Sequence, residues 1–238
     1  MLISAKAGRQ RDSMRLRNMW KEQGRVITPQ AHDKFVVSAR ERCVRIKSTH
    51  RDGKRTTGTG VIVQTGLVIT NWHLIEDPSI IAMSVNDHEA QMVHFDFVHD
   101  LVALASTTRR LGHIRIQEAL PRQMQGVFYV GNPEDWNKSI VEGAVTSVAR
   151  DIIRSSNCPA LGFSGSGLYS KESGELIGLI DGMQGSSGVG LVFATSVPGH
   201  IVRDFLHETF ARMRMRKKPV LAEKEKKPEK IHTPTKLF

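Results

Sequence analysis

Through the middle of the chain, apolar residues come in short β-branched runs separated by glycine, proline and charged turns. Phe35-Val36-Val37 and Val44-Arg45-Ile46 predict strands, closed by the charged turn His50-Arg51-Asp52-Gly53-Lys54. Gly58-Thr59-Gly60-Val61-Ile62-Val63 and Leu67-Val68-Ile69-Thr70, joined at Gln64-Thr65-Gly66, predict a tight hairpin. Further strands are predicted at Ile80–Val85, Ala90–Phe95 and Leu101–Ala105, the last with an acid at its start. Residues 106–120 read as a connector. A second series follows at Gly126–Val130, Ser139–Ala149, Gly167–Tyr169, Leu176–Asp181 and Gly190–Ser196. Many short strands at this spacing predict an all-β sandwich or barrel architecture. The period then changes after Pro198-Gly199, where Ile201, Val202, Phe205, Leu206, Phe210 and Met213 fall on one helical face. They predict one amphipathic helix packed on the second set of strands. A short helix is also predicted at Ser13–Gln23.

Charge divides the chain in the same places. The net charge of +10 is carried as +5 on residues 1–34 and +6 on residues 203–238, with −1 between them. With the two strand series, the divisions expected are a basic extension (1–34), a first series of strands (35–117), a second series with the helix (118–213) and a basic, disordered tail (214–238). A neutral body argues against a nucleic-acid-binding fold, which carries its positive stripe on the folded surface. A weak nucleic-acid or acidic-partner contact through the tails stays open. Met1-Leu2-Ile3 gives way at once to Lys6, Arg9 and Arg11, which is neither a signal peptide nor a membrane span, so a cytoplasmic location is expected. Cys43 and Cys158 are too few for a disulfide scaffold and lack metal-ligand spacing. No metal or other cofactor is expected, and the oligomeric state is not legible.

Three side chains stand at the ends of predicted elements. His73 closes the hairpin, Asp100 opens a strand, and Ser164 sits in the glycine turn Gly162-Phe163-Ser164-Gly165-Ser166-Gly167. Peptide hydrolysis by a hydroxyl needs a nucleophile, a base to take its proton and an acid to orient the base. It also needs donors aimed at the developing oxyanion. These residues, with the backbone of the glycine turn, supply all four if the fold brings them together. Asp96 and Ser166 are the competing acid and nucleophile.

The segments Thr59–Val63 with Ile69-Thr70-Asn71-Trp72-His73, Asp100-Leu101-Val102-Ala103-Leu104, and Gly162–Gly167 resemble the three motifs of trypsin-like, chymotrypsin-fold serine proteases. They are closest in character to the HtrA/Deg branch. Gly131-Asn132-Pro133, Gly143-Ala144-Val145, Gly174–Gly178 and Gly190–Ala194 are similar to later landmarks of that branch. The resemblance covers roughly residues 35–210. It implies two packed six-stranded antiparallel β-barrels with the active site between them. Ser164 would then be the nucleophile, His73 the general base and Asp100 its orienter. The amides of Gly162 and Ser164 would form the oxyanion hole. Asp100 is preferred to Asp96 because it directly precedes the Leu-Val-Ala-Leu run, and Ser164 to Ser166 because it fits Gly-x-Ser-Gly. Asp181, Gly182 and Met183 would run beside the substrate, and the specificity pocket would be lined by this segment and Asn157–Ala160. Cys158 falls at the pocket floor, implying a small or medium apolar preference rather than Lys/Arg.

Three departures from the family pattern carry consequences. Trp72 is larger than the residue usual before the histidine, so packing beneath His73 must differ. Phe163 replaces the aspartate that receives a new N-terminal ammonium in digestive relatives, so no such activation switch is expected. Asp181 stands where relatives often carry a small hydroxyl residue; buried there, it would bring a second carboxylate to His73. The HtrA branch usually adds a PDZ domain; too few residues follow the terminal helix here, so regulation of that type is not expected. The expected function is a serine endopeptidase acting on polypeptides through an acyl-enzyme. Two alternatives stay open: an inactive trypsin-like fold serving as a peptide-binding module, and a virus-encoded or polyprotein-derived processing protease.

Overall fold

The computed structural model describes residues 29–133, 138–157, 159–185 and 192–217. The expected helix at Ser13–Gln23, most of both basic extensions and Cys158 lie outside the described residues.

Twelve strands close two antiparallel barrels of six. The first contains β1 (Cys43–His50), β2 (Arg55–Gln64), β3 (Leu67–Thr70), β4 (Ile80–Val85), β5 (His88–Asp96) and β6 (Leu101–Ser106), in the order β1-β2-β3-β6-β5-β4. The second contains β7 (Gly126–Gly131), β8 (Ser139–Val148), β9 (Ile153–Ser155), β10 (Gly167–Ser170), β11 (Leu176–Gly185) and β12 (Val192–Pro198), and repeats that order as β7-β8-β9-β12-β11-β10. Among the described residues, two α-helices complete the fold: α1 (Pro29–Arg42) and α2 (Gly199–Lys217).

Side chains alternate across a strand, so a strand that is apolar on every residue must be covered on both faces. The β2, β3 and β6 runs are of this kind. Ile62, Val68, Val102 and Leu104 fill the first barrel with Val44, Ile46 and Val85. Their neighbours Val61, Val63, Leu67, Ile69, Leu101 and Ala103 face out, into a cluster shared with Phe128, Val130, Tyr169, Leu176 and Leu179 of the second barrel. The largest apolar cluster therefore lies between the barrels and fixes them together. The second barrel has its own filling, with Val127, Tyr129, Val145, Phe163 and Ile177 among it.

The structure corrects several expectations. Phe35-Val36-Val37 is helical, not a strand. α1 turns Phe35 and Val36 onto the shared cluster, where Ala39 is buried, and leaves Val37 exposed, a spacing that a helix satisfies and a strand does not. The short strand β9 was not expected, since its three residues are flanked by the polar turn at Arg150-Asp151. α2 begins where predicted but runs to Lys217, past the expected boundary at 213. It also packs on both barrels rather than the second alone: the Phe205 ring stacks on His94 of β5 at 5.0 Å. The connector carries one isolated bridge, Ile116 to Leu176, that lashes it to the second barrel.

Candidate active site

β3 ends at Thr70, and the chain turns through Asn71 into a single 3-10 turn, Trp72–Leu74, that carries His73. The turn is held from the opposite side by Asp100. The Asp100 carbonyl accepts the Trp72 amide (3.1 Å) and the Asn71 side-chain amide (3.2 Å). One carboxylate oxygen accepts the His73 backbone amide (2.8 Å), and the other accepts the ring Nδ1–H (2.7 Å). A carboxylate can only accept, so this geometry places the ring proton on Nδ1 and leaves Nε2 with its lone pair outward. Asp100 reaches these positions at φ 53°, a left-handed conformation that aspartate tolerates better than most residues. Asp96, the competing acid, pairs instead with His99 at 2.6 Å and is turned inward to the Val98 and His99 amides.

The hydrogen bond that its ring donates to Asp100 holds the His73 imidazole above its ordinary pKa. Burial opposes that effect, and the charges of Asp100, Glu76 and Asp181 add to it. Trp72 finds its own place: its ring stacks on Phe95 at 4.6 Å, beside the first barrel's filling.

Ser164 lies on the other barrel, in a turn built by two left-handed glycines, Gly162 (φ 92°) and Gly165 (φ 84°). A Cβ at Gly165 would overlap the Thr59 carbonyl oxygen and Thr70 Oγ1, so the turn lies hard against β2 and the end of β3. Thr59 also donates its hydroxyl to the Gly162 carbonyl (2.7 Å), accepts the Asn132 amide on that hydroxyl (2.8 Å) and gives its own amide to the Ser164 carbonyl (2.9 Å). The Gly165 amide and Ser166 carbonyl bond to the Ile180 carbonyl and amide, each at 2.8 Å. Among the described residues, the amides of Gly162 and Ser164 have no hydrogen-bond partner. Ser166 is fully buried, whereas Ser164 is partly open. Phe163 is buried edge-on against Tyr129 at 4.9 Å. An apolar plug thus anchors the turn.

No hydrogen bond joins the Ser164 hydroxyl to the His73 ring in this conformation, among the described residues. Catalytic hydrogen bonds are often long in an unliganded site and tighten when substrate binds. Asp181 sits within electrostatic reach of both His73 and Asp100. Gly182 and Met183 follow it on β11, paired with Thr195 and Ala194 of β12, and Met183 is exposed. Asn157 is buried, and Cys158 lies outside the described residues. Thr59, which joins the two barrels at this turn, and Thr70, whose hydroxyl donates to the Thr59 carbonyl (2.6 Å), had no assigned role in the sequence; a threonine between two glycines, Gly58-Thr59-Gly60, was the available signal.

Comparison with known proteins agrees with this architecture. A family model for the trypsin-like peptidase domain matches residues 58–179. The serine endoprotease DegS of Escherichia coli K12 is 32% identical over 121 residues, covering 48% of this chain and 34% of that protein. A probable periplasmic serine endoprotease, DegP-like, of Halomonas elongata is 26% identical over 163 residues, covering 62% and 34%. The chain therefore spans about a third of the length of the curated relatives it matches. In structure it is similar to a serine endoprotease from Yersinia pestis (TM-score 0.64, 24% identity, covering 77% of this chain and 68% of that one). It is equally similar to a protease of M. tuberculosis in its active form (TM-score 0.64, 20% identity, covering 76% and 87%). The chain belongs to the trypsin-like peptidase domain family.

Proposed function

We propose that this chain is a serine endopeptidase that cleaves polypeptides through an acyl-enzyme, with Ser164 as nucleophile, His73 as general base and then acid, and Asp100 as the residue that orients the imidazole. The observation that carries this reading is the His73–Asp100 pair, bonded at both the ring and the backbone, which leaves Nε2 free to take a proton. The Ser164 Oγ–H proton passes to Nε2 as the C–O bond forms, and the oxyanion is received by the amides of Gly162 and Ser164. When the C–N bond breaks, the imidazolium returns its proton to the leaving amine. Water then repeats the sequence to release the acid. The charge of Asp100 stabilises the imidazolium in both halves.

A route for the substrate supports the same reading. β10 pairs with β11 only as far as Leu179, so one edge of the segment from Asp181 onward is not used by β10. An extended peptide would add there as a further strand and be carried toward Ser164. Met183 would offer it an apolar wall.

Digestion of a peptide library, read by mass spectrometry, tests the proposal. New termini are expected from the native chain and none from Ser164→Ala; cleavage retained by the variant overturns it. A second reading, a peptide-binding module, is favoured by the unbonded Ser164 hydroxyl. It would give peptide binding with no cleavage by either protein.

A further inference from the structure

β11 carries a bulge beside the candidate site. Its register on β12 slips between Ile180, opposite Ser196, and Gly182, opposite Thr195, so Asp181 is the inserted residue. Bulges bend a strand and re-aim the side chain at the irregularity. Here the bulge is locked to the nucleophile turn, because Ile180, immediately before it, holds the Gly165 amide and the Ser166 carbonyl. Asp181 is thereby fixed beside the Ser164 turn, within electrostatic reach of the His73–Asp100 pair.

Its setting is unusual for a carboxyl. Oδ1 is buried with no hydrogen-bond partner among the described residues, and the Thr195 hydroxyl of β12 and the residue's own backbone amide are the groups that favour the ionised side chain by hydrogen bonding. The charges of His73 on the 3-10 turn and of Asp100 just before β6 both reach it. Glu76 adds a further negative charge on His73 from its own loop. On β9, Arg154 stands opposite Thr195, but its guanidinium is spent on Gln184 at 2.6 Å. Two carboxylates therefore act on one imidazole, Asp100 by a hydrogen bond and Asp181 through its charge, and the cation on β9 is directed elsewhere. An unpartnered buried carboxylate oxygen costs free energy.

We propose that Asp181 is a positioning residue that sets the proton affinity of His73, so that the base becomes competent only at a higher pH than the His73–Asp100 pair alone would give. The inference rests on the reading of His73 as general base. An ionised Asp181 favours imidazolium, the form that cannot take the Ser164 proton, and so shifts the acid limb of activity upward. Once the ring is neutral, the same charge helps it take a proton and stabilises the imidazolium formed with the oxyanion. The residue trades activity at low pH for a stronger base at high pH. Burial and the Asp100 charge push the Asp181 carboxyl above its ordinary value, with the Thr195 hydrogen bond and the His73 charge opposing.

The test is an NMR titration of the His73 ring in the Ser164→Ala background, comparing Asp181 with Asp181→Asn, Asp181→Ser and Asp181→Glu. The His73 midpoint is expected to fall by about half a pH unit or more in the Asn and Ser variants and to return toward the parent in the Glu variant. An unchanged midpoint in whichever of Asn or Ser folds overturns the proposal, as does a Glu variant that titrates like Asn. The titration needs no turnover. Its failure therefore leaves the peptidase reading intact, while a normal shift in a chain that cleaves nothing would count against the peptidase reading alone.

Discussion

Thr59 of the first barrel donates its hydroxyl to the carbonyl oxygen of Gly162 in the second, at 2.7 Å. With the Thr59 amide on the Ser164 carbonyl, this bond fixes the Ser164 turn relative to the barrel that carries His73. Thr59→Val keeps the shape and removes the hydroxyl. It leaves the Gly162 carbonyl and the Asn132 amide unpaired, at a cost of about 1–3 kcal/mol for each group that stays buried. Urea unfolding should report that loss, and kcat/KM should fall because the oxyanion amides are less well held. Unchanged stability would show that water replaces the hydroxyl.

Gly165→Ala is expected to be the most damaging single-methyl change near the site. The position has φ 84°, and the added carbon would meet the Thr59 carbonyl oxygen and Thr70 Oγ1. Left-handed backbone alone costs an L-residue roughly 1–2 kcal/mol, and the overlap adds to it. We expect activity to fall at least about a hundredfold, the loss typical of a misplaced catalytic group. Circular dichroism should show the barrels still folded.

Phe163→Ala tests the apolar anchoring of the same turn. Truncating a buried phenylalanine costs about 3–5 kcal/mol, and the Tyr129 ring loses its edge-on partner. A melting temperature lowered by several degrees is expected, together with reduced turnover. Phe163→Leu should recover most of the stability. Loss of turnover without loss of stability in the alanine variant would mean that the side chain does more than fill space.

Much of this arrangement was legible from local pattern. The hairpin of Gly58–Thr70 and the run Leu101–Leu104 announce themselves because β-branched and aliphatic side chains pack on both faces of the strands between the barrels. α1 was not legible. Phe35-Val36-Val37 has strand propensity, and only the tertiary packing of Phe35, Val36 and Ala39 on the shared cluster decides for a helix. The preference for Asp100 over Asp96 came from the Leu-Val-Ala-Leu run that follows it, but the reason it holds lies in the fold. Each acid has a histidine, and what separates them is a positive φ at Asp100 that turns its carboxylate toward a residue 27 positions away. The clamp made by Thr59 depends on long-range register that spacing does not encode.

The pH dependence has two opposed signs. His73 is raised above its unfolded value chiefly by the Asp100 hydrogen bond. Its contribution to stability is thus fully present below the unfolded histidine pKa and is lost as pH rises through the folded one. With His73 as the proposed general base, activity requires the neutral ring and rises through that same window. A pH–rate profile should therefore show an acid limb above the ordinary histidine value while thermal stability declines across it. Asp181, also raised, follows the same sign for stability. Asp181→Asn should accordingly melt at the same or a higher temperature than the parent at alkaline pH.

The central claim is that Ser164 is a nucleophile activated across the boundary between the barrels. Reaction of the folded chain with a fluorophosphonate, followed by intact-mass and peptide-mapping mass spectrometry, tests it most directly. One adduct is expected, on Ser164, at a rate that falls about ten-thousandfold in Asp100→Asn, the scale on which mis-set tautomers slow such nucleophiles. A folded chain that takes up no label, or that carries it on Ser166, contradicts the account.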